Sequence, residues 1–233
     1  MSGKYSDIKR RVYLANIALP RAGLVTLTWG NVSEIDREAG IVAIKPSGVS
    51  YEEMTEDDIV IIDLDGNKVE GELNPSSDTP THLELYRRYP GVGGITHTHS
   101  RYATSFAQAE MSIPCLGTTH ADVFYGDVPC TRRMTEEEIL AEYEKNTGAV
   151  IAETIGDSAD TMPAIIVALH GPFTWGKNAN SSVEVSITLE ECAAMAYNTI
   201  MLNPDASMQS ALLEKHYKRK HGKGAYYGQG GKR

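Results

Sequence analysis

Gly93-Gly94-Ile95-Thr96-His97-Thr98-His99-Ser100 is the stretch on which the reading of this chain turns. In an extended strand, side chains alternate between faces, so His97 and His99 point to the same side. Residues 95–99 read as a strand, and Ser100 and Arg101 lead into a helix over about 102–109. Two imidazoles on one face of a strand end, beside a loop, are a good start for a metal site. The competing reading is a pair of surface histidines in a turn.

On the N-terminal side, residues 6–19 have a helical period in Ile8, Val12 and Ile17, and Pro20 and Gly23 stop the helix. Residues 24–29 and 41–44 read as strands, separated by the turn Gly30-Asn31-Val32-Ser33. The second strand runs into Lys45-Pro46-Ser47-Gly48, residues 55–58 read as a turn or short helix, and 59–63 as a strand. Asp65-Gly66-Asn67 predicts a hairpin back into 68–72. Pro80 suits the first turn of a helix over 81–88.

On the C-terminal side, residues 113–116 read as a short strand, and Thr135 with Glu138 forms a capping-box pattern for a helix to about 145. The continuous apolar run Ile165-Ile166-Val167-Ala168-Leu169 predicts a central strand that stops at His170-Gly171-Pro172. Helices follow over about 181–201 and 208–220. With no internal repeat and no break in composition, residues 1–233 read as a single α/β domain, a central mixed β-sheet flanked by helices.

The 233 residues suffice to bury a substantial core. A formal net charge of -9 argues against nucleic acid or an anionic membrane as partner, so an anionic ligand would need local groups to hold it. No apolar run approaches the length of a membrane span, and Met1-Ser2-Gly3-Lys4-Tyr5 lacks the apolar segment of a signal peptide. Cys115, Cys130 and Cys192 lack metal-ligand spacing and read as reduced thiols, so a cytoplasmic location is expected.

Three sets of residues carry chemistry. His170, ending a strand beside Gly-Pro, is either a third metal ligand with His97 and His99 or a histidine bonded to backbone; with a His-X-His already in the chain, the ligand reading is preferred. Gly30-Asn31, Ser47-Gly48 and Ser76-Ser77, with Lys45 beside the second, offer N–H groups, hydroxyls, an amide and an ammonium suited to a phosphate, provided that they converge in space. Asp78 reads either as a hard oxygen ligand or as a helix N-cap, and Asp122 either as a general base or as a surface carboxylate. Neither a Gly-X-Gly-X-X-Gly nor a Walker pattern is present, so a nucleotide fold is not indicated.

Seven stretches carry a resemblance: Thr26-Leu27-Thr28-Trp29-Gly30-Asn31-Val32-Ser33, Lys45-Pro46-Ser47-Gly48, Pro75-Ser76-Ser77-Asp78-Thr79, His97-Thr98-His99-Ser100, Gly117-Thr118-Thr119-His120-Ala121-Asp122, His170-Gly171-Pro172-Phe173-Thr174-Trp175-Gly176-Lys177 and Ala225-Tyr226-Tyr227-Gly228-Gln229. In this order they resemble the L-ribulose-5-phosphate 4-epimerases of the class II aldolase superfamily, which also holds L-fuculose-1-phosphate aldolase. The resemblance runs from about residue 8 to 229. It implies a Zn2+ enzyme, with another divalent metal able to substitute, that interconverts L-ribulose 5-phosphate and D-xylulose 5-phosphate by retro-aldol cleavage of C3–C4, rotation of the aldehyde and re-addition.

By the same resemblance His97, His99, His170 and Asp78 match the metal set. Gly30, Asn31, Ser47, Gly48, Ser76 and Ser77, with Lys45 adjacent, match the substrate and phosphate loops. Asp122 and Tyr227 match the two acid–base residues, and His216 and Arg219 match positions near the active site. A homotetramer is implied, with Tyr227 reaching a neighbouring subunit's site. The superfamily's aldolases carry a glutamate near the position of Asp78, so the aspartate favours an epimerase. Two departures are visible: Gly230-Gly231-Lys232-Arg233 extends past the usual end, and Val167-Ala168-Leu169 stands where relatives can carry a second histidine. An L-xylulose 5-phosphate preference, an aldolase, and a non-catalytic zinc or sugar-phosphate module are the competing expectations.

Overall fold

The structure, a computed structural model, describes residues 3–222 and 224–226. Helix α1 (Ser6–Arg21) leads into β1 (Gly30–Asp36), β2 (Ile41–Ile44), β3 (Val60–Asp63) and β4 (Lys68–Glu70). Then come α2 (Thr79–Arg88), β5 (Gly94–Thr98), α3 (Arg101–Gln108) and the short α4 (Thr118–Ala121). Helices α5 (Glu136–Leu140) and α6 (Tyr143–Ile155), the hairpin β6 (Ala164–Ile166)–β7 (Pro172–Gly176), and helices α7 (Ala179–Leu202) and α8 (Ser210–Lys220) complete the order.

The strands form one seven-stranded sheet in the order β4-β3-β2-β1-β5-β7-β6. Every strand pair is antiparallel, so the expected mixed sheet is corrected to an antiparallel one. Alternation along the strands divides the core. Val32, Ile41, Ala43 and Ile61 pack with α1 and with Ala179 and Val183 of α7, while Ile35, Val42, Ile44 and Ile62 pack with α2 and α6 on the other face. On the α1 face, buried Glu34 accepts the Ala179 N–H at the start of α7 (2.8 Å) and pairs with Arg11 (2.7 Å). An anion at a helix N-terminus is favourable, and this one ties two helices to the sheet.

Several local expectations change. Residues 24–29 form no strand, because their backbone caps α1: Gly23 takes φ +70°, its N–H reaches Pro20 O, and Leu24 N–H reaches Leu19 O. Gly30-Asn31 is therefore not a turn but the first pair of β1, opposite Thr98 and His97 of β5. The run 165–169 is not a central strand. Only Ala164–Ile166 pairs, at the sheet edge, and it tolerates apolar residues there because the 129–131 segment covers it through Ile166 N–H to Pro129 O and Thr131 N–H to Ile166 O. His170 sits in the β6–β7 loop rather than at a strand end. The helix expected from Thr135 has its capping box but ends at Leu140, and α6 follows as a separate helix. The expected strand over 113–116 is reduced to one pairing, Ile113 with Val128.

Candidate active site

The site grows from the row that antiparallel pairing places side by side: Asn31 of β1, His97 of β5 and Phe173 of β7. His97 is buried, its ring stacked on Phe173 with centroids 4.2 Å apart. Its Nδ1–H donates to Pro172 O (2.9 Å), which leaves Nε2 as the lone-pair nitrogen. Two residues on, His99 brings its own Nε2 to 3.1 Å from that atom. His170 arrives from the β6–β7 loop, with ring centroids 4.8 Å from His97 and 5.1 Å from His99. Gly171 makes this approach feasible: a Cβ there would lie 2.8 Å from the Thr98 carbonyl oxygen.

One ligand atom from each of the three imidazoles lies within 4.8 Å of the others. Burial, reinforced by the charges of the neighbouring rings, pushes His99 down to about 4 and His170 down to about 3. Both are neutral at pH 7, the form that ligates a metal. Three imidazoles converging on one point, at the wall of an open cleft, are a donor set that could hold a divalent metal ion.

The cleft beside them has a volume of about 420 Å³. Gly30, Asn31, Lys45, Ser47, Gly48, Ser76, Ser77 and Asp78 all line it with the three histidines, so the three small-residue loops converge. Backbone bonds join them: Ser76 N–H to Lys45 O (3.0 Å) and Ser47 N–H to Asn74 O (2.9 Å). Tyr51 ties in the third loop by donating to Gly30 O (2.7 Å). Gly30 takes φ +142°, and a Cβ there would meet Val25 Cγ1 at 2.7 Å and His97 O at 2.9 Å. The Lys45 ammonium is buried beneath its loop, donating to Val49 O (2.6 Å) and Pro46 O (3.2 Å), and burial lowers it to about 8. It is a positive charge under the loop rather than a free arm.

Asp78 stands at the N-cap position of α2, but its carboxylate makes no cap bond. It accepts from Asn31 Nδ2 (2.7 Å) instead, and the same amide reaches Ser76 Oγ (3.1 Å). Burial pushes its carboxyl up, but His97, His82 and the Asn31 bond outweigh this and hold it below the usual range. Asp78 lines the cleft without joining the close cluster of the three histidines.

Asp122 is elsewhere. It follows α4, is buried, and is held by α8 through His216 Nδ1 (3.0 Å), Arg219 Nε (2.9 Å) and Lys220 Nζ (3.3 Å). Burial raises its carboxyl, but Arg219, His216 and Lys220 together keep it below the usual range. The structure thus brings His216 and Arg219 to Asp122, and none of the three lines the cleft. Tyr227 lies outside the described residues. Sequence reasoning missed Tyr143 and Glu144 of α6, which close the cleft opposite the loops, with the Tyr143 hydroxyl 3.4 Å from His170 Nδ1. Nothing in the local pattern of α6 marks them, because only the packing of α6 on α2 carries them there.

The chain thus combines an antiparallel sheet with helices on both faces, a three-histidine cluster that could hold a metal ion, and a loop-walled cleft. Residues 10–197 match the profile of the Class II Aldolase and Adducin N-terminal domain, and the chain belongs to this family. Among solved structures it is similar to an L-fuculose 1-phosphate aldolase, with a TM-score of 0.80 and 27% identity over 93% of this chain and 99% of that one. An L-fuculose 1-phosphate aldolase from Glaciozyma antarctica PI12 shares the fold at TM-score 0.75 and 20% identity, covering 95% of this chain and 84% of that one. YgbL from Klebsiella pneumoniae, described as a putative aldolase/epimerase/decarboxylase, shares it at TM-score 0.71 and 21% identity over 90% and 97%. Among the described residues no helix is long and apolar enough to cross a membrane.

Proposed function

We propose that this protein is a cytoplasmic, divalent-metal-dependent pentulose-phosphate epimerase, with zinc as the metal, that interconverts L-ribulose 5-phosphate and D-xylulose 5-phosphate. One observation carries the reading: the three small-residue loops and the histidine cluster wall one cleft. The epimerase assignment is supported by Asp78 where the superfamily's aldolases carry glutamate, and by the resemblance at Asp122 and Tyr227.

C4 of the substrate lies β to the C2 carbonyl, so its hydrogen is not acidic and direct deprotonation there is a poor route. Cleavage of C3–C4, with loss of the proton from the C4 hydroxyl, yields an enediolate and glycolaldehyde phosphate. Rotation of the aldehyde and attack on its other face re-form the bond with inverted C4. The bound metal supplies Lewis-acid stabilisation of the negative charge on the substrate oxygens, worth several kcal/mol. Ser47, Ser76, Ser77 and the loop N–H groups hold the phosphate, so that the aldehyde turns without leaving. Two acid–base groups, one for each face, move the C4 hydroxyl proton.

Asp122 and Tyr227 are proposed for those roles. Asp122 does not line its own chain's cleft, so the reading requires it to act in a neighbour's cleft within a homotetramer, to which Tyr227 also contributes across the interface. Co-expression of His170→Ala with Tyr227→Phe, each inactive alone, is expected to give hybrid oligomers with part of the wild-type activity. Hybrids as inactive as the parents would sink the shared-site arrangement.

A second reading, an aldolase that releases its aldehyde, is favoured by the likeness to L-fuculose 1-phosphate aldolase at 27% identity. The deciding experiment assays the metal-loaded protein on L-ribulose 5-phosphate, L-xylulose 5-phosphate and L-fuculose 1-phosphate. Epimerisation of L-ribulose 5-phosphate without aldehyde release is the expected outcome. A higher kcat/KM on L-xylulose 5-phosphate would reassign the substrate. Net aldehyde release from L-fuculose 1-phosphate as the dominant reaction would replace the epimerase with an aldolase, and turnover of none of the three would leave a binding module.

A further inference from the structure

His97 lies in β5 and His99 directly follows it, whereas His170 reaches the cluster from the β6–β7 loop. The backbone of that loop is held in one shape. Leu169, at φ +62°, sends its N–H to Ala107 O (2.9 Å), and His170 N–H reaches Val167 O (3.0 Å). A leucine seldom occupies the left-handed region, and such conformations collect at functional sites. The held backbone fixes the Cα–Cβ direction of His170 but not the turn of its ring.

The ring meets Tyr143, the first residue of α6 and part of the cleft lining. The tyrosine hydroxyl lies 3.4 Å from His170 Nδ1, and the ring centroids are 6.1 Å apart. Tyr143 is itself anchored on both sides. Its carbonyl accepts the hydroxyl of buried Thr147 (2.9 Å), and the next carbonyl, Glu144 O, accepts the hydroxyl of buried Thr81 from α2 (2.5 Å). Gly148 lets α6 come this close to α2, since a Cβ there would lie 2.7 Å from Glu84 Cβ.

The direction of the Tyr143–His170 contact follows from counting protons. A neutral imidazole carries one N–H. If Tyr143 donated to Nδ1, the ring proton would sit on Nε2, and His170 would have no lone pair left for a metal. If Nδ1–H donates to the tyrosine oxygen, Nε2 keeps its lone pair. His97 shows this second order already, with its Nδ1–H on Pro172 O (2.9 Å). A ligating histidine whose other nitrogen donates to a fixed acceptor is held in orientation and made a better base.

We propose that Tyr143 is a positioning residue of the metal centre: its phenolic oxygen accepts the His170 Nδ1–H and so keeps that ring turned with Nε2 free for the metal. The kinetic part of the test rests on the sugar-phosphate reading above; the tautomer and the zinc affinity do not.

Histidine-labelled, zinc-loaded protein, examined by long-range 15N–1H correlation at pH 7, is expected to show His170 protonated on Nδ1, the signal being assigned by its loss in His170→Gln. A His170 ring protonated on Nε2, or a wild type that binds no zinc, overturns the proposal. Tyr143→Phe keeps the ring and removes only the acceptor. Competition against a zinc-binding dye is expected to show its zinc affinity lowered about 10–100-fold, with the melting temperature of the metal-free protein unchanged. Wild-type zinc affinity in a folded Tyr143→Phe overturns the role. At saturating zinc this variant is expected to lower kcat roughly tenfold with KM nearly unchanged, because the phosphate loops are untouched. A raised KM at wild-type kcat would make Tyr143 a substrate contact and overturn the positioning role. If the wild type turns over no sugar phosphate, the function reading fails alone, and the tautomer and zinc affinity still decide this one. If Tyr143→Phe does not fold, the tautomer of the zinc-loaded wild type decides.

Discussion

Replacing His170 by alanine is expected to lower kcat/KM by about a thousandfold or more and to strip the bound divalent metal, while leaving the fold intact. A catalytic metal site of this kind has three protein ligands and an open position, so removal of one ligand undoes the site. Lewis-acid stabilisation of several kcal/mol corresponds to about a thousandfold at roughly 1.4 kcal/mol per decade. His170 is the proposed ligand to test because it is only half-buried and sits in the β6–β7 loop, where truncation leaves no core cavity. His97 would confound the experiment, since it is stacked on Phe173 and bonded to Pro172 O. Chelation of the wild type should reproduce the loss and added zinc should reverse it. Metal per chain, melting temperature and turnover on the same preparation check the prediction; undiminished turnover in metal-free protein would remove the metal from the mechanism.

Gly94→Ala is expected to cost about 3 kcal/mol or more, as overpacking against rigid backbone does at its upper end. A Cβ at Gly94 would lie 2.2 Å from Asn178 C, 2.3 Å from Asn178 O and 2.4 Å from Ala179 N. Those atoms cannot step aside cheaply. Asn178 caps α7 by accepting the Ser181 N–H (2.9 Å), and Ala179 N–H is held by Glu34. Relief would separate α7 from β5, the strand that carries His97. For a chain of this size such a loss lowers the melting temperature by roughly 6–12 °C. Calorimetry of the purified variant reads it directly, and a change below about 1 kcal/mol would mean that the strand–helix crossing is softer than these contacts require.

The legibility of the fold was uneven for identifiable reasons. Helix ends marked by chemistry were readable: the Thr135–Glu138 capping box stands in the structure, and Pro80 lies in the first turn of α2, which begins at Thr79, two residues before the expected start. Apolar runs misled where backbone bonds went elsewhere. Leu24 spends its N–H on capping α1, and the 165–169 run pairs only through Ile166 before Val167 closes a loop onto Gly171 O. Neither use of backbone is visible in a hydrophobic pattern, which reports burial and not the partner.

The amino-acid order alone determined that His97 and His99 share a side, because a strand repeats every two residues whatever surrounds it. It also carried the three loops and the seven stretches on which the resemblance to the class II aldolase superfamily was read. The tertiary structure decided the rest. Antiparallel register set Asn31 beside His97, a hairpin loop swung His170 in past Gly171, and the packing of α6 on α2 brought Tyr143 across the cleft. It also kept Asp122, which is held by α8, out of that cleft. These placements depend on which distant segments pair and how closely backbones approach. Such contacts link residues tens of positions apart, so no local pattern can encode them.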